Sequence, residues 1–207
     1  MKKVCLINYK VNNISSVSKA LKKIDIDFDV VEESNKIKDY SHIILPGIGS
    51  FEAGMNQLKK SRCDVELKKT IKKGSQILGI CLGMHLLFKN SEESLKNIEG
   101  LGILDGNVLS MKVDKKNKVH VPQIGWNNIY PSSNKKHIFN LKDLGSDFYF
   151  NHSFVVKPKK KEIVKYFFKH GTNYPAIIQE ENILATQFHP EKSKNGLAIF
   201  KKFINQS

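Results

Sequence analysis

Short apolar runs alternate with segments of helical period through the first 89 residues, and few folds accommodate that order. Val4–Ile7, Phe28–Val31, His42–Leu45 and Gln76–Ile80 read as strands, the first a short apolar run of the kind a buried parallel strand has. Between and after them, Asn13–Ile24, Phe51–Lys60, Val65–Lys73 and Leu82–Lys89 read as helices. In the first of these, apolar side chains recur at Ile14, Val17, Ala20, Leu21 and Ile24, and Asn12 or Asn13 stands in the capping position. Gly74 stops the third. Strands alternating with helices predict a parallel sheet covered on both faces. From Gly102 to Phe188 the pattern changes to strands and turns: Val108–Val113, Asn127–Tyr130, Asp147–Val156, Val164–Phe168, Ala176–Gln179 and Ile183–Phe188, with Glu180-Glu181-Asn182 as a hairpin turn. Leu197–Ile204 closes the chain with helical spacing. The expectation is one α/β domain over residues 1–207: a mostly parallel central sheet flanked by helices, with an antiparallel β extension.

Charge narrows the choice of partner. Lys and Arg number 34 against 20 Asp and Glu, a net +14, which invites a nucleic-acid reading. Arg62 is the only arginine, and lysine lacks the planar fork that reads base edges. The lysines fall in scattered pairs such as Lys22-Lys23, Lys72-Lys73 and Lys135-Lys136, and the one dense run, Lys157–Lys161, is broken by Pro158. A solvated lysine surface is therefore expected, with no nucleic acid bound. The 3 cysteines, Cys5, Cys63 and Cys81, form no CxxC pair and suggest a reducing compartment. No apolar run approaches the ~18 residues of a membrane span, and Val4–Ile7 is too short for a signal-peptide core. A cytoplasmic protein without membrane attachment is expected.

The chemistry concentrates in three places. In Gly79-Ile80-Cys81-Leu82-Gly83 an apolar strand runs through a cysteine flanked by glycines into a helix. This is the nucleophile-elbow pattern with sulfur in place of oxygen. Such a turn lifts the Cys81 thiol to the carboxyl edge of the sheet at a helix N-terminus, which favours the thiolate, and aims the Leu82 amide at an oxyanion formed there. Cys5, inside an apolar run, reads instead as a buried structural cysteine. A cysteine nucleophile needs a base and a group to orient it. His189-Pro190-Glu191 follows a strand-like segment, so that an extended chain points His189 and Glu191 toward one site, with Glu191 holding the imidazole. The loop Pro46-Gly47-Ile48-Gly49-Ser50 follows the third strand and offers the Gly49 amide as a second oxyanion donor.

Together these stretches resemble the class I, or triad-type, glutamine amidotransferases. Gly-Ile-Cys-Leu-Gly-Met at 79–84 and His-Pro-Glu at 189–191 are the strongest marks. Val-Pro-Gln-Ile-Gly-Trp-Asn at 121–127, Tyr-Phe-Asn-His-Ser-Phe at 149–154 and Ala-Thr-Gln-Phe-His-Pro-Glu-Lys-Ser at 185–193 narrow it to the glutaminase subunits of imidazole glycerol phosphate synthase, in histidine biosynthesis. The resemblance implies hydrolysis of L-glutamine to glutamate and ammonia without metal or cofactor. Cys81 would attack the amide, His189 would pass the proton to the departing ammonia, and Glu191 would orient His189. Backbone near Gly49, Ser153 and Phe154 would hold the substrate. Ammonia would pass to a barrel-shaped cyclase subunit in a heterodimer, with Gln123, Trp126 and Lys192 facing that partner. Three positions depart from the family's pattern. His85 stands where a glutamine commonly contacts the substrate, Tyr9-Lys10-Val11-Asn12-Asn13 replaces a glycine-rich start, and Gln123 replaces a histidine. They raise an alternative: a paralogous subunit feeding ammonia to the amidation of a surface-polysaccharide sugar.

Overall fold

The computed structural model describes residues 2–113, 119–133, 139, 145 and 147–205; the lysine pair at 135–136 lies outside them. Strands β1 (Val4–Ile7), β2 (Asp29–Val31), β3 (His42–Gly47), β4 (Gln76–Cys81) and β12 (Ile183–Thr186) form the parallel half of a nine-stranded sheet, in the order β2-β1-β3-β4-β12. From β12 the sheet continues antiparallel through β11 (Thr172–Glu180), β10 (Val164–His170), β7 (Gln123–Pro131) and β8 (Asp147–His152). A second sheet of three strands orders β5 (Phe88–Ser91), β6 (Leu104–Ser110) and β9 (Phe154–Pro158). Among the described residues the α-helices are α1 (Ile14–Lys22), α2 (Phe51–Lys60), α3 (Cys63–Lys72), α4 (Leu82–Leu86) and α5 (Leu197–Asn205). This is the expected α/β architecture, with a mixed sheet flanked by helices.

The period of two along each strand explains the two cores. Cys5 and Ile7 of β1, Ile43 and Leu45 of β3 and Ile77 of β4 pack with Phe51, Met55 and Leu58 of α2 and Leu67 and Ile71 of α3. Val4, Leu6, Ile44, Leu78 and Ile80 point the other way, toward Val17 and Leu21 of α1 and Phe200 and Phe203 of α5. Burial on both faces is why these strands read as unbroken apolar runs. Local signals set the helix starts: Asn13 Oδ1 accepts from the Ser16 amide and Ser50 Oγ from the Ala53 amide.

Two expectations are corrected. The helix expected over Leu82–Lys89 ends at Leu86, and Phe88–Ser91 is strand β5. The segment after it claims the backbone acceptors: Leu101 N donates to Leu86 O (2.8 Å), Ile103 N to Leu87 O (2.9 Å) and Gly100 N to Lys89 O (2.8 Å). The single strand expected over Asp147–Val156 is two, because the chain leaves the large sheet at His152 and enters the small one at Phe154. Ser153 makes the crossing, and its carbonyl accepts from Met111 N at 2.9 Å. Hydropathy does not register a change of sheet. A further 3₁₀ helix at Ser34–Asp39 carries no sequence signal strong enough to have been expected.

The β11–β12 turn lies where expected, with Glu180 paired to Ile183 and Glu181 at φ 49°. Asn182 ties it to α3: Nδ2 donates to Ile71 O (2.9 Å) and Ser75 O (2.6 Å). Asn182→Ala leaves these half-buried carbonyls short of donors and is expected to destabilise the chain by about 1–3 kcal/mol. Urea denaturation followed by circular dichroism measures it.

Candidate active site

Parallel strands end at one edge, so the segments after β1, β3, β4 and β12 converge. The register makes this specific: Gly47 pairs with Cys81 on one side of β4 and Ile80 with Thr186 on the other. Cys81 is thereby flanked by the loop from Pro46 and by the segment leading to His189.

Cys81 adopts φ 52°, ψ −108°, a left-handed conformation that a side chain rarely takes, and it caps the five-residue α4. The flanking glycines are required by contact. A Cβ on Gly83 would lie 1.8 Å from Leu45 O, and one on Gly79 would lie 3.0 Å from Gly83 O and from Met84 N. The turn is thus pressed between β3 and its own helix.

His189 Nδ1 lies 2.8 Å from Glu191 Oε1, both side chains 2% exposed. The carboxylate accepts, so Nδ1 carries the proton and Nε2 is left for chemistry. The segment does not stay extended, as the sequence suggested. A one-turn helix at Pro190–Lys192 brings Glu191 back to the imidazole. His189 is further fixed by its amide donating to Tyr149 O and by Ser193 Oγ donating to its carbonyl, both at 2.9 Å. Burial works against the imidazolium, but Cys81 and Glu191 outweigh it and raise His189 from 6.5 to about 10.

A cavity of about 290 Å³ joins these groups, at the lower end of the range of about 300–1,000 Å³ usual for small-molecule sites. Cys81, His189, Gly49, Leu82, His85, Ser153 and Phe154 all line it, so the structure brings together seven residues expected from sequence. Glu191 stands behind His189, outside the cavity. Gln123, Trp126 and Lys192 do not line it either. Trp126 is 55% exposed and meets Tyr149 edge-on at 6.0 Å; Tyr149 lies 6.4 Å from His189, and Lys192 Nζ sits 5.1 Å from the Tyr149 ring centre. Gln123 is buried, its Oε1 without a hydrogen bond among the described residues.

Sequence reasoning missed several groups. Glu93 lines the cavity, and its Oε2 accepts from the Phe51 amide at 3.0 Å. Lying ten residues beyond the elbow in a turn, it had no motif to mark it. His152 also lines the cavity. Its Nδ1 donates to Phe154 O at 3.0 Å, leaving a buried Nε2 acceptor with no partner among the described residues. Burial first, then His85 nearby, pushes His152 down to about 3, and burial pushes His85 to about 4 against its hydrogen bond to the Gln187 amide oxygen. Both imidazoles are neutral at pH 7. Tyr9, wholly buried, donates to Pro46 O at 2.7 Å, and Ile48 N donates to Val11 O at 3.4 Å, so the chain after β1 braces the Gly49 loop. Cys5 is buried as expected, and burial pushes its thiol far up. No helix among the described residues is long and apolar enough to cross a membrane.

Known proteins carry the same sequence pattern. An imidazole glycerol phosphate synthase subunit HisH from Caldanaerobacter subterraneus is 39% identical over 199 residues, covering 96% of this chain and 95% of that protein. The corresponding subunits of Prochlorococcus marinus and Bacillus subtilis are each 35% identical, covering 99% and 98% of this chain and 98% and 95% of their own. Among solved structures, a glutamine amidotransferase crystal structure superposes with TM-score 0.73 at 18% identity, covering 96% of both chains, and PurLQS from Thermotoga maritima with 0.72 at 19%, covering 99% of this chain and 98% of that one. These two likenesses establish the fold. The family model for glutamine amidotransferase class-I matches residues 5–206. With a match of that extent and relatives at these identities, the chain belongs to the class I glutamine amidotransferase family.

Proposed function

We propose that this chain, read as one domain over residues 1–207, is the glutaminase subunit of an imidazole glycerol phosphate synthase. It hydrolyses L-glutamine and passes ammonia to a cyclase subunit in histidine biosynthesis. The observation that carries the reading is the strained Cys81 elbow opening into the same cavity as the Glu191-held imidazole of His189. Cys81 attacks the side-chain amide carbon as a thiolate paired with the His189 imidazolium. The tetrahedral oxyanion takes amide donors from Leu82 and Gly49. His189 gives its proton to the departing ammonia, leaving a γ-glutamyl thioester. Water, deprotonated by His189, cleaves the thioester to glutamate and restores the thiolate–imidazolium pair. Glu93 and the His152 Nε2 acceptor suit the ammonium group of the substrate, and backbone at Ser153 and Phe154 suits its carboxylate end. No cofactor or metal enters these steps.

The names of the relatives support the histidine pathway. The exposed Trp126, with Ile124 63% exposed beside it and Lys192 over the Tyr149 ring that Trp126 meets, suits a docking face for a barrel-shaped cyclase. Only neutral ammonia is nucleophilic, and a sealed interface keeps it from protonation in water. We place the heterodimer in the cytoplasm, bound to neither nucleic acid nor membrane. Gln123, buried on the other face of β7 where the family's motif has histidine, favours the second reading, a paralogous subunit supplying ammonia for a surface-polysaccharide sugar. Glutaminase assays of the chain alone and with the cyclase of its own histidine pathway separate the two. Weak activity alone and strong activation by that cyclase are expected; no activation excludes the histidine reading.

The His189–Glu191 pair also gives a pH signature. A group raised from 6.5 to about 10 on folding contributes its stability in full below pH 6.5 and loses it as pH climbs toward 10. Glu191→Gln removes one source of that rise. The stability lost in the variant is therefore expected to be largest below pH 6.5 and to shrink toward pH 10, as read by urea midpoints across that range. An effect independent of pH counts against the pair.

A further inference from the structure

Cys81 has a second polar neighbour besides His189. Gln187 lies just past the end of β12, two residues before His189, and is fully buried. Its Oε1 is 2.9 Å from His85 Nε2, and its Nε2 is 4.0 Å from Cys81 Sγ. The amide oxygen only accepts, so the buried neutral His85 holds its proton on Nε2 and donates it. In this arrangement His85 holds the amide oxygen and the NH₂ group faces sulfur. On another side of Sγ lies Asn151 O, also at 4.0 Å, an acceptor that suits the thiol and opposes the thiolate. Gln187 is the carboxamide placed to oppose that effect.

We infer that Gln187 donates an amide N–H to the Cys81 thiolate, and that His85 acts as the positioning residue that fixes the orientation of this amide. The inference rests on the proposed role of Cys81 as nucleophile. It also gives the histidine at position 85 a duty toward the nucleophile, in place of the substrate contact made by the family's glutamine. A hydrogen bond to an ionised acceptor is stronger than a neutral one and favours the charged form. Such contacts are often long in the empty site and tighten as charge develops. The other titratable groups facing the thiol or its cavity are His189 with Glu191 after β12, His152 on β8, Glu93 after β5 and Tyr9 after β1.

The test is the pH dependence of iodoacetamide alkylation of Cys81 in the full chain, followed by peptide mapping. Gln187→Met is expected to raise the midpoint by about one unit, which is about tenfold slower alkylation below it. The plateau rate at high pH stays within about twofold, because the thiolate itself is equally reachable. Gln187→Glu, close to isosteric, shifts the midpoint further in the same direction and serves if the methionine variant unfolds. His85→Leu shifts it the same way, and His85→Gln, which again donates an N–H to Gln187 Oε1, restores it. Profiles for both Gln187 variants that superpose on the unaltered protein, with Cys81 still the labelled residue, overturn the inference alone. A glutamine-hydrolysing Cys81→Ala variant overturns the nucleophile reading and the inference with it.

Discussion

Cys81→Ala is expected to reduce glutamine hydrolysis by at least about 10⁴-fold, the scale on which triad enzymes lose turnover without their nucleophile. The assay uses the complex with the proposed cyclase partner, and that complex is expected to keep turning over when ammonium salts replace glutamine. That contrast matters because a folding defect would remove both activities. Alanine carries the same β-carbon as cysteine and meets the φ 52° backbone with the same strain, so the elbow survives. Besides His189, Sγ, 6% exposed with its residue, makes long contacts to Asn151 O and Gln187 Nε2 at 4.0 Å each, and removing it leaves a small void at the cavity wall. The variant is therefore expected to unfold within a few degrees of the unaltered protein. Residual glutaminase above this level assigns the attack to another group.

Gly83→Ala has the largest expected effect on the fold. Its new Cβ would meet Leu45 O at 1.8 Å and Leu45 C at 2.9 Å, and both are backbone atoms of β3 that no rotamer change can move. Either α4 withdraws from β3 or β3 shifts in the sheet. Both movements displace Cys81, which pairs with Gly47 two residues beyond Leu45. A loss of at least about 3 kcal/mol is expected, since overpacking against rigid neighbours lies at the costly end of single substitutions. At this chain length that lowers Tm by about 6–12 °C. Gly54→Ala on α2 is the control: its Cβ would meet only Leu82 and Leu86 methyls at 3.2–3.3 Å, atoms that can turn aside. A Gly83→Ala variant as stable as Gly54→Ala contradicts the close packing described for the elbow.

The parallel half of the sheet was legible because its inner strands β1, β3 and β4 are buried on both faces. Val4–Ile7 carries no polar residue to confuse the reading, and glycine and proline punctuate the ends. The Cys81 and His189 motifs were legible because a strained elbow and a rigid His-Pro turn each demand particular residues. What escaped was long-range. Whether Asp147–Val156 is one strand or two depends on where Ser153 finds Met111, and whether Leu82–Lys89 continues as helix depends on amides at 100–103. Glu93, His152 and Gln187 reach the site by tertiary placement alone. Position 85 shows the limit most clearly. The sequence marked it as a departure, but only the 2.9 Å contact with Gln187 says what the imidazole touches.

The most direct measurement is covalent labelling with a chloroketone analogue of glutamine, followed by mass mapping of all three cysteines. The account predicts a single adduct on Cys81, formed faster in the presence of the cyclase and suppressed by excess glutamine, with Cys5 and Cys63 untouched in the core. An adduct on Cys5 or Cys63, or none on Cys81 while glutamine is still consumed, contradicts it.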